Sequence, residues 1–146
     1  MIRRAAAGAR WIALAWLVAA PAQAQRAPGW EVRVAERVPV AAGATAVLTI
    51  GLAVDRGLTV SKDADVIVDL DAEAGVAIKK RRLGRGDAVD PEADAPRFAV
   101  NVRGDQVGEH EVRLHVRFWL CGTKTCRPID VRRVTTVAVG DLAPPP

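Results

Sequence analysis

Two cysteines carry the most versatile chemistry in this chain. Cys121 and Cys126 bracket Gly122-Thr123-Lys124-Thr125. Thiols at this spacing can close a disulfide, exchange it with another protein, or contribute to a metal site. From Arg117 to Arg127 there are three cations and no carboxylate. Such a field favours the thiolate, the form that attacks another disulfide. A zinc site would need two more ligands, and the histidines are His110 and His115. His115 is six residues from Cys121, about 20 Å along an extended strand, so the two cannot share an ion. No metal or other cofactor is expected. Ser61 is the lone serine and has no neighbouring histidine to activate it, which removes the usual hydrolase arrangements.

The elements that must position the cysteines are strands. Val112, Leu114, Val116, Phe118 and Leu120 alternate with Arg113, His115, Arg117 and Trp119, the period-two pattern of a half-buried strand. Continuing the alternation puts Cys121 on the wetter face with Arg117 and Trp119. The same pattern recurs over 46–54, 66–71 and 98–102. Further strands are expected over 30–38, 75–83 and 129–139, the last with a bulge where Arg132-Arg133 breaks the parity. Turn signals separate them at Ala42-Gly43, Asp55-Arg56-Gly57, Glu73-Ala74-Gly75 and across Gly84 to Pro96. No stretch reads as an amphipathic helix of three turns. Short strands at this spacing predict an all-β fold, an immunoglobulin-like antiparallel β-sandwich of seven or eight strands. Cys121 and Cys126 then close a late hairpin. Opposed residues there have Cα atoms about 4.5 to 5.5 Å apart, within reach of a disulfide.

At 146 residues the chain holds one domain, and 50% of it is hydrophobic, which fits a packed globule. The net charge of +4 is misleading. Of the 21 cations, Arg3, Arg4 and Arg10 fall in a leader without acids, so from Gln25 onward 18 cations face 17 carboxylates. Nucleic-acid binding by a clustered cationic excess is therefore not expected. Residues 1–24 read as an export signal, with a positive start, the apolar run Trp11 to Ala20, and Ala22-Gln23-Ala24 before cleavage. The domain spans 25–141, and 142–146 is a proline-rich tail expected to be disordered. The mature chain is expected in the periplasm or outside the cell, without a transmembrane segment. In that oxidising setting the two cysteines are expected to pair with each other.

The residues alone leave a structural staple and a redox pair both open. A loop of this size gives about 2 kcal/mol in the chain-entropy picture, a weak motive for stapling a hairpin its own strands already close. The run Val116-Arg-Phe-Trp-Leu-Cys121-Gly-Thr-Lys-Thr-Cys126-Arg-Pro128, followed by a valine-rich strand, resembles the N-terminal periplasmic domain of the DsbD thiol:disulfide interchange protein family. The resemblance implies an immunoglobulin-like fold whose late hairpin carries a redox pair, Cys121 and Cys126, with Pro128 matching the family's proline after the second cysteine. It implies electron transfer with a thioredoxin-like periplasmic oxidoreductase, or with a membrane electron donor that here would be a separate protein. A second proline often follows in that family, where this chain has Ile129, and no aromatic occurs from Gly51 through Arg97 to build the family's aromatic cap loop. Lys124 and Trp119 are supporting candidates, the first as a cation beside the thiols, the second as a docking aromatic or a ring packed on a loop.

Two other clusters read as surface. Asp63, Asp65, Asp69, Asp71 and Glu73 lack the spacing of a calcium loop and fit a solvated strand face. Lys79-Lys80-Arg81-Arg82 and Arg85, beside Gly84 and Gly86, fit an exposed hairpin, with contact to an anionic lipid or glycan as the functional alternative.

Overall fold

The computed structural model describes residues 29–140. The expected export signal at 1–24 and the expected tail at 142–146 lie outside the described residues. Valine-rich alternation produces ten strands: β1 (Trp30–Val34), β2 (Arg37–Ala41), β3 (Thr45–Val54), β4 (Thr59–Val60), β5 (Ile67–Ala72), β6 (Val76–Ala77), β7 (Arg82–Leu83), β8 (Arg97–Gly104), β9 (Gly108–Cys121) and β10 (Cys126–Gly140). Seven have five or more residues, and β4, β6 and β7 have two each. One sheet runs β1-β3-β8-β6 and the other β2-β10-β9-β5-β7, with β4 on β9. This is the two-sheet arrangement of an immunoglobulin-like sandwich. Among the described residues, no helix is long and apolar enough to cross a membrane.

The inward parities of both sheets meet in one aliphatic core. Leu48, Ile50, Phe98 and Val102 from the first sheet face Val68, Val112, Leu114, Val116 and Val137 from the second, all essentially without solvent contact. Burying each such side chain contributes about 1.5 to 3 kcal/mol, so the sandwich is held by many similar increments rather than by aromatic anchors.

Three features differ from the sequence expectation. The single strand expected over 30–38 is two strands in different sheets. The chain changes sheets at Ala35-Glu36, where the Thr135 hydroxyl donates to the Ala35 carbonyl (2.6 Å) and the Thr136 N–H to the Glu36 carbonyl (3.0 Å). After that switch, β2 lies parallel to β10, so the second sheet is not wholly antiparallel. The stretch 75–83 likewise visits the first sheet as β6 and returns to the second as β7. Its basic run is a crossing between sheets rather than a hairpin.

The bulge expected at Arg132-Arg133 is absent. β9 and β10 stay in unbroken register from Cys126 opposite Cys121 to Val139 opposite Gly108. Arg133 occupies an inward-parity position between Val131 and Thr135 yet is exposed. The Thr136 N–H points away from β9 toward Glu36, and alternation then directs the even-numbered positions of β10 outward as well. From Cys126 to Val134 this outer edge has no strand partner among the described residues. Pro128 sits in that edge at an outward position, where a strand loses no ladder bond to a proline.

Candidate functional site

The long β9–β10 ribbon ends in the cysteine pair. The Gly122 N–H donates to the Thr125 carbonyl at 2.9 Å, so the chain turns on Thr123 and Lys124. Cys121 and Cys126 then form the adjacent non-hydrogen-bonded pair, the type in which opposed side chains come closest. Their Cα atoms are 4.0 Å apart and their sulfurs are bonded. The alternation read from the sequence holds to the end of β9: Phe118 and Leu120 are buried, Trp119 is exposed, and Cys121 is half-buried on the outer face. Cys126, Lys124 and Pro128 are exposed.

The two sulfurs have different surroundings. Cys121 lies between strands, opposite Cys126 on one side and Thr59 of β4 on the other. Cys126 belongs to the open edge of β10. Beneath the turn, Leu58 lies close to both Gly122 and Gly29, and a methyl group on Gly29 would approach the Leu58 Cδ1 to 2.6 Å. Gly29 also has φ +87°, so glycine there serves both backbone and contact.

Sequence reasoning missed how β4 is held. Arg85 does not stand on an exposed hairpin. Its Nη2 donates to the carbonyls of Val60 (2.7 Å) and Ser61 (2.9 Å), and its Nη1 to those of Pro91 (2.8 Å) and Ala93 (3.1 Å). The Ser61 N–H in turn donates to the Trp119 carbonyl at 2.8 Å. One guanidinium thus ties the 84–96 segment to the strand flanking Cys121. A short sequence window places Arg85 in a cation run, and only the tertiary path shows four carbonyls converging on it. Arg85→Met is expected to lower stability by about 2 kcal/mol, because it strips several carbonyls of a charged donor. Urea melts would read the loss, and faster hydrogen exchange at the Ser61 amide would place it beside the cysteines.

The outer face leading away from the disulfide is ordered by charge. Trp119 is 43% exposed and stands opposite Pro128. With Asp65, Ile67, Arg117 and Asp130 they line a shallow groove of about 370 Å³. Arg117 Nη2 donates to Asp69 at 2.7 Å, His115 Nε2 lies 2.7 Å from Asp130 Oδ1, and Arg113 is 3.6 Å from Asp71. Of the acidic residues expected to be merely solvated, Asp69 and Asp71 are ion-paired across strands, each exposed pair adding at most about 1 kcal/mol. Arg117, counted from sequence among the cations favouring a thiolate, is committed to Asp69, and Lys124 in the turn has no ion-pair partner among the described residues. His115 faces Asp130 rather than a sulfur. Among the described residues, no cluster of three or more His, Cys, Asp or Glu side chains could hold a metal ion.

Fold and site together define an immunoglobulin-like β-sandwich with a disulfide at the tip of its last hairpin. No family model and no curated protein matches the chain. Among solved structures it is similar to murine CRIg, at 9% identity and a TM-score of 0.46, covering 75% of this chain and 97% of that one. It is also similar to AggA, the major subunit of aggregative adherence fimbriae type I from Escherichia coli, at 9% identity and a TM-score of 0.37, covering 75% and 95%. At such values no function passes from either protein to this one.

Proposed function

We propose that the protein is an exported thiol:disulfide exchange domain that passes electrons to or from a thioredoxin-like partner through Cys121 and Cys126. The observation supporting this most directly is the placement of the pair: the disulfide closes the tip of the last hairpin, and Cys126 is exposed on an edge without a strand partner among the described residues. The resemblance to the DsbD N-terminal domain and the leader-like first 24 residues support the same reading.

Exchange proceeds in two displacements. A partner thiolate attacks the Cys126 Sγ, a new S–S bond forms between the proteins, and the bond to Cys121 breaks. Cys121 leaves as a thiolate and takes a proton. The partner's second thiolate then displaces Cys126, which is protonated in turn, so two electrons and two protons pass from partner to pair. The reverse direction uses the same steps. Lys124 stabilises the developing thiolates, and Trp119 with Pro128 supplies the apolar ground on which a partner seats.

The half-burial of Cys121 against β4 favours a second reading, in which the bond is a structural clip on a non-catalytic sandwich that binds an envelope protein. The reduction potential separates them. Equilibration in glutathione buffers, followed by alkylation and mass measurement, is expected to give a value between those of thioredoxin, about −270 mV, and more oxidising carriers. A value well below about −300 mV would leave only the clip.

A further inference from the structure

We propose that a second site, remote in sequence from the cysteines, is a docking slot for an extended acidic peptide along the outer edge of β8. The edge is open only over a bounded window. At one end β6 covers it, with Ala77 opposite Arg103, and at the other the Val89 N–H donates to the Arg97 carbonyl at 2.8 Å. Bonds from the Gly104 N–H to the Ala44 carbonyl and from the Leu52 N–H to the Pro96 carbonyl fix which positions face β3. Even-numbered residues of β8 therefore bond β3, and the N–H and C=O groups of Ala99 and Asn101 point outward. Neither residue has a backbone partner on that side among the described residues.

This window opens onto a cavity of about 560 Å³, the size of ligand clefts in general. It exists because the chain leaves β8 after Ala77 to cross to the other sheet. Ile78, Leu83 and Val100 form its inner wall, and Lys79, Lys80 and Arg103 its rim. A strand added here would turn alternate side chains toward the apolar wall and the others toward the cations. The best-matched sequence alternates apolar and acidic residues. Asp87 is the one carboxylate in the lining, bonded to Lys80 at 2.5 Å and held below the usual carboxylate range by Lys80 and the Gly84 N–H. Arg103 is bonded to Asp105 at 2.7 Å, which leaves Lys79 as the rim cation without an ion-pair partner among the described residues.

The test is fluorescence anisotropy of the whole protein with a labelled peptide alternating Glu and Val. Three comparisons accompany it: the Lys/Val counterpart, the Glu/Val peptide N-methylated at alternate amides, and dodecanoate as competitor. The Glu/Val peptide is expected to bind about tenfold more tightly than either altered peptide and to weaken as salt screens the rim. Lys79→Glu should weaken it about fivefold or more. Ala99→Pro should do the same with an unchanged melting curve, because its nitrogen faces the slot and not β3. Should that variant misfold, hydrogen exchange at the Ala99 and Asn101 amides of the unaltered protein substitutes, with slowing expected on peptide addition. Equal binding of all three peptides, no binding, unaltered exchange at both amides, or a slot that takes dodecanoate and refuses peptide would overturn the proposal. None of these outcomes depends on the state of the disulfide.

Discussion

Cys121→Ala is expected to turn the protein into a trap. Its remaining thiol, Cys126, is the exposed member of the pair. It can attack a thioredoxin-like protein whose second active-site cysteine is replaced and whose first is held in a mixed disulfide with an aromatic thiol; the aromatic thiolate leaves, the two proteins are joined, and neither chain keeps a thiol to resolve them. Cys126→Ala leaves Cys121 half-buried between β10 and β4. Access being poorer, its adduct should form about tenfold more slowly. On non-reducing gels with that activated single-cysteine protein, the first variant should accumulate a covalent heterodimer, the second little, and the double alanine variant none. Equal and slow reaction of both single variants would remove the electron-carrier reading, since it would mean that neither sulfur is presented to another protein.

The second large effect concerns what holds the ribbon in place. Phe118 is 2% exposed, stands opposite Ile129, and meets Trp30 edge to face with ring centroids 6.0 Å apart. It anchors β9 three residues before Cys121 and brings β1 of the other sheet into contact with it. Phe118→Ala should cost about 3 to 5 kcal/mol, combining lost transfer energy with the cavity left behind. In a domain of this size the melting temperature should fall by about 10 °C or more. Phe118→Leu, which keeps most of the volume, should cost less than half as much. A loss under about 1 kcal/mol for the alanine variant would show that Trp30 and its neighbours close the gap, and that the aromatic contact does not fix the ribbon.

The strands that flank the cysteines were legible because each buries one face, and period-two alternation reports that directly. Val112 to Leu120 in β9 carries the pattern unbroken. Alternation does not report which sheet a strand joins. Thus 30–38 reads as one strand although the chain changes sheets at Ala35, and 75–83 reads as one although only its ends pair. Arg132-Arg133 imitates a bulge for a related reason. Parity reads each cation as an outward position, whereas Arg133 holds an inward-parity position and is exposed there with no shift of register. The cysteine pair was legible from spacing and parity together. Arg85 was not, since its four acceptors come from Val60, Ser61, Pro91 and Ala93, and nothing local marks carbonyls that gather only after folding.

The uncovered outer margin of β10 has a consequence for the molecule among its own copies. From Cys126 to Val134 its outward main-chain groups have no strand partner among the described residues, and such a row is the template on which identical chains zip together. Here that row is interrupted at Pro128, which has no hydrogen to give, and Arg132 and Arg133 set like charges along the remainder. Crowded copies are thereby kept from stacking along this margin, while the sulfur bridge at its end stays reachable.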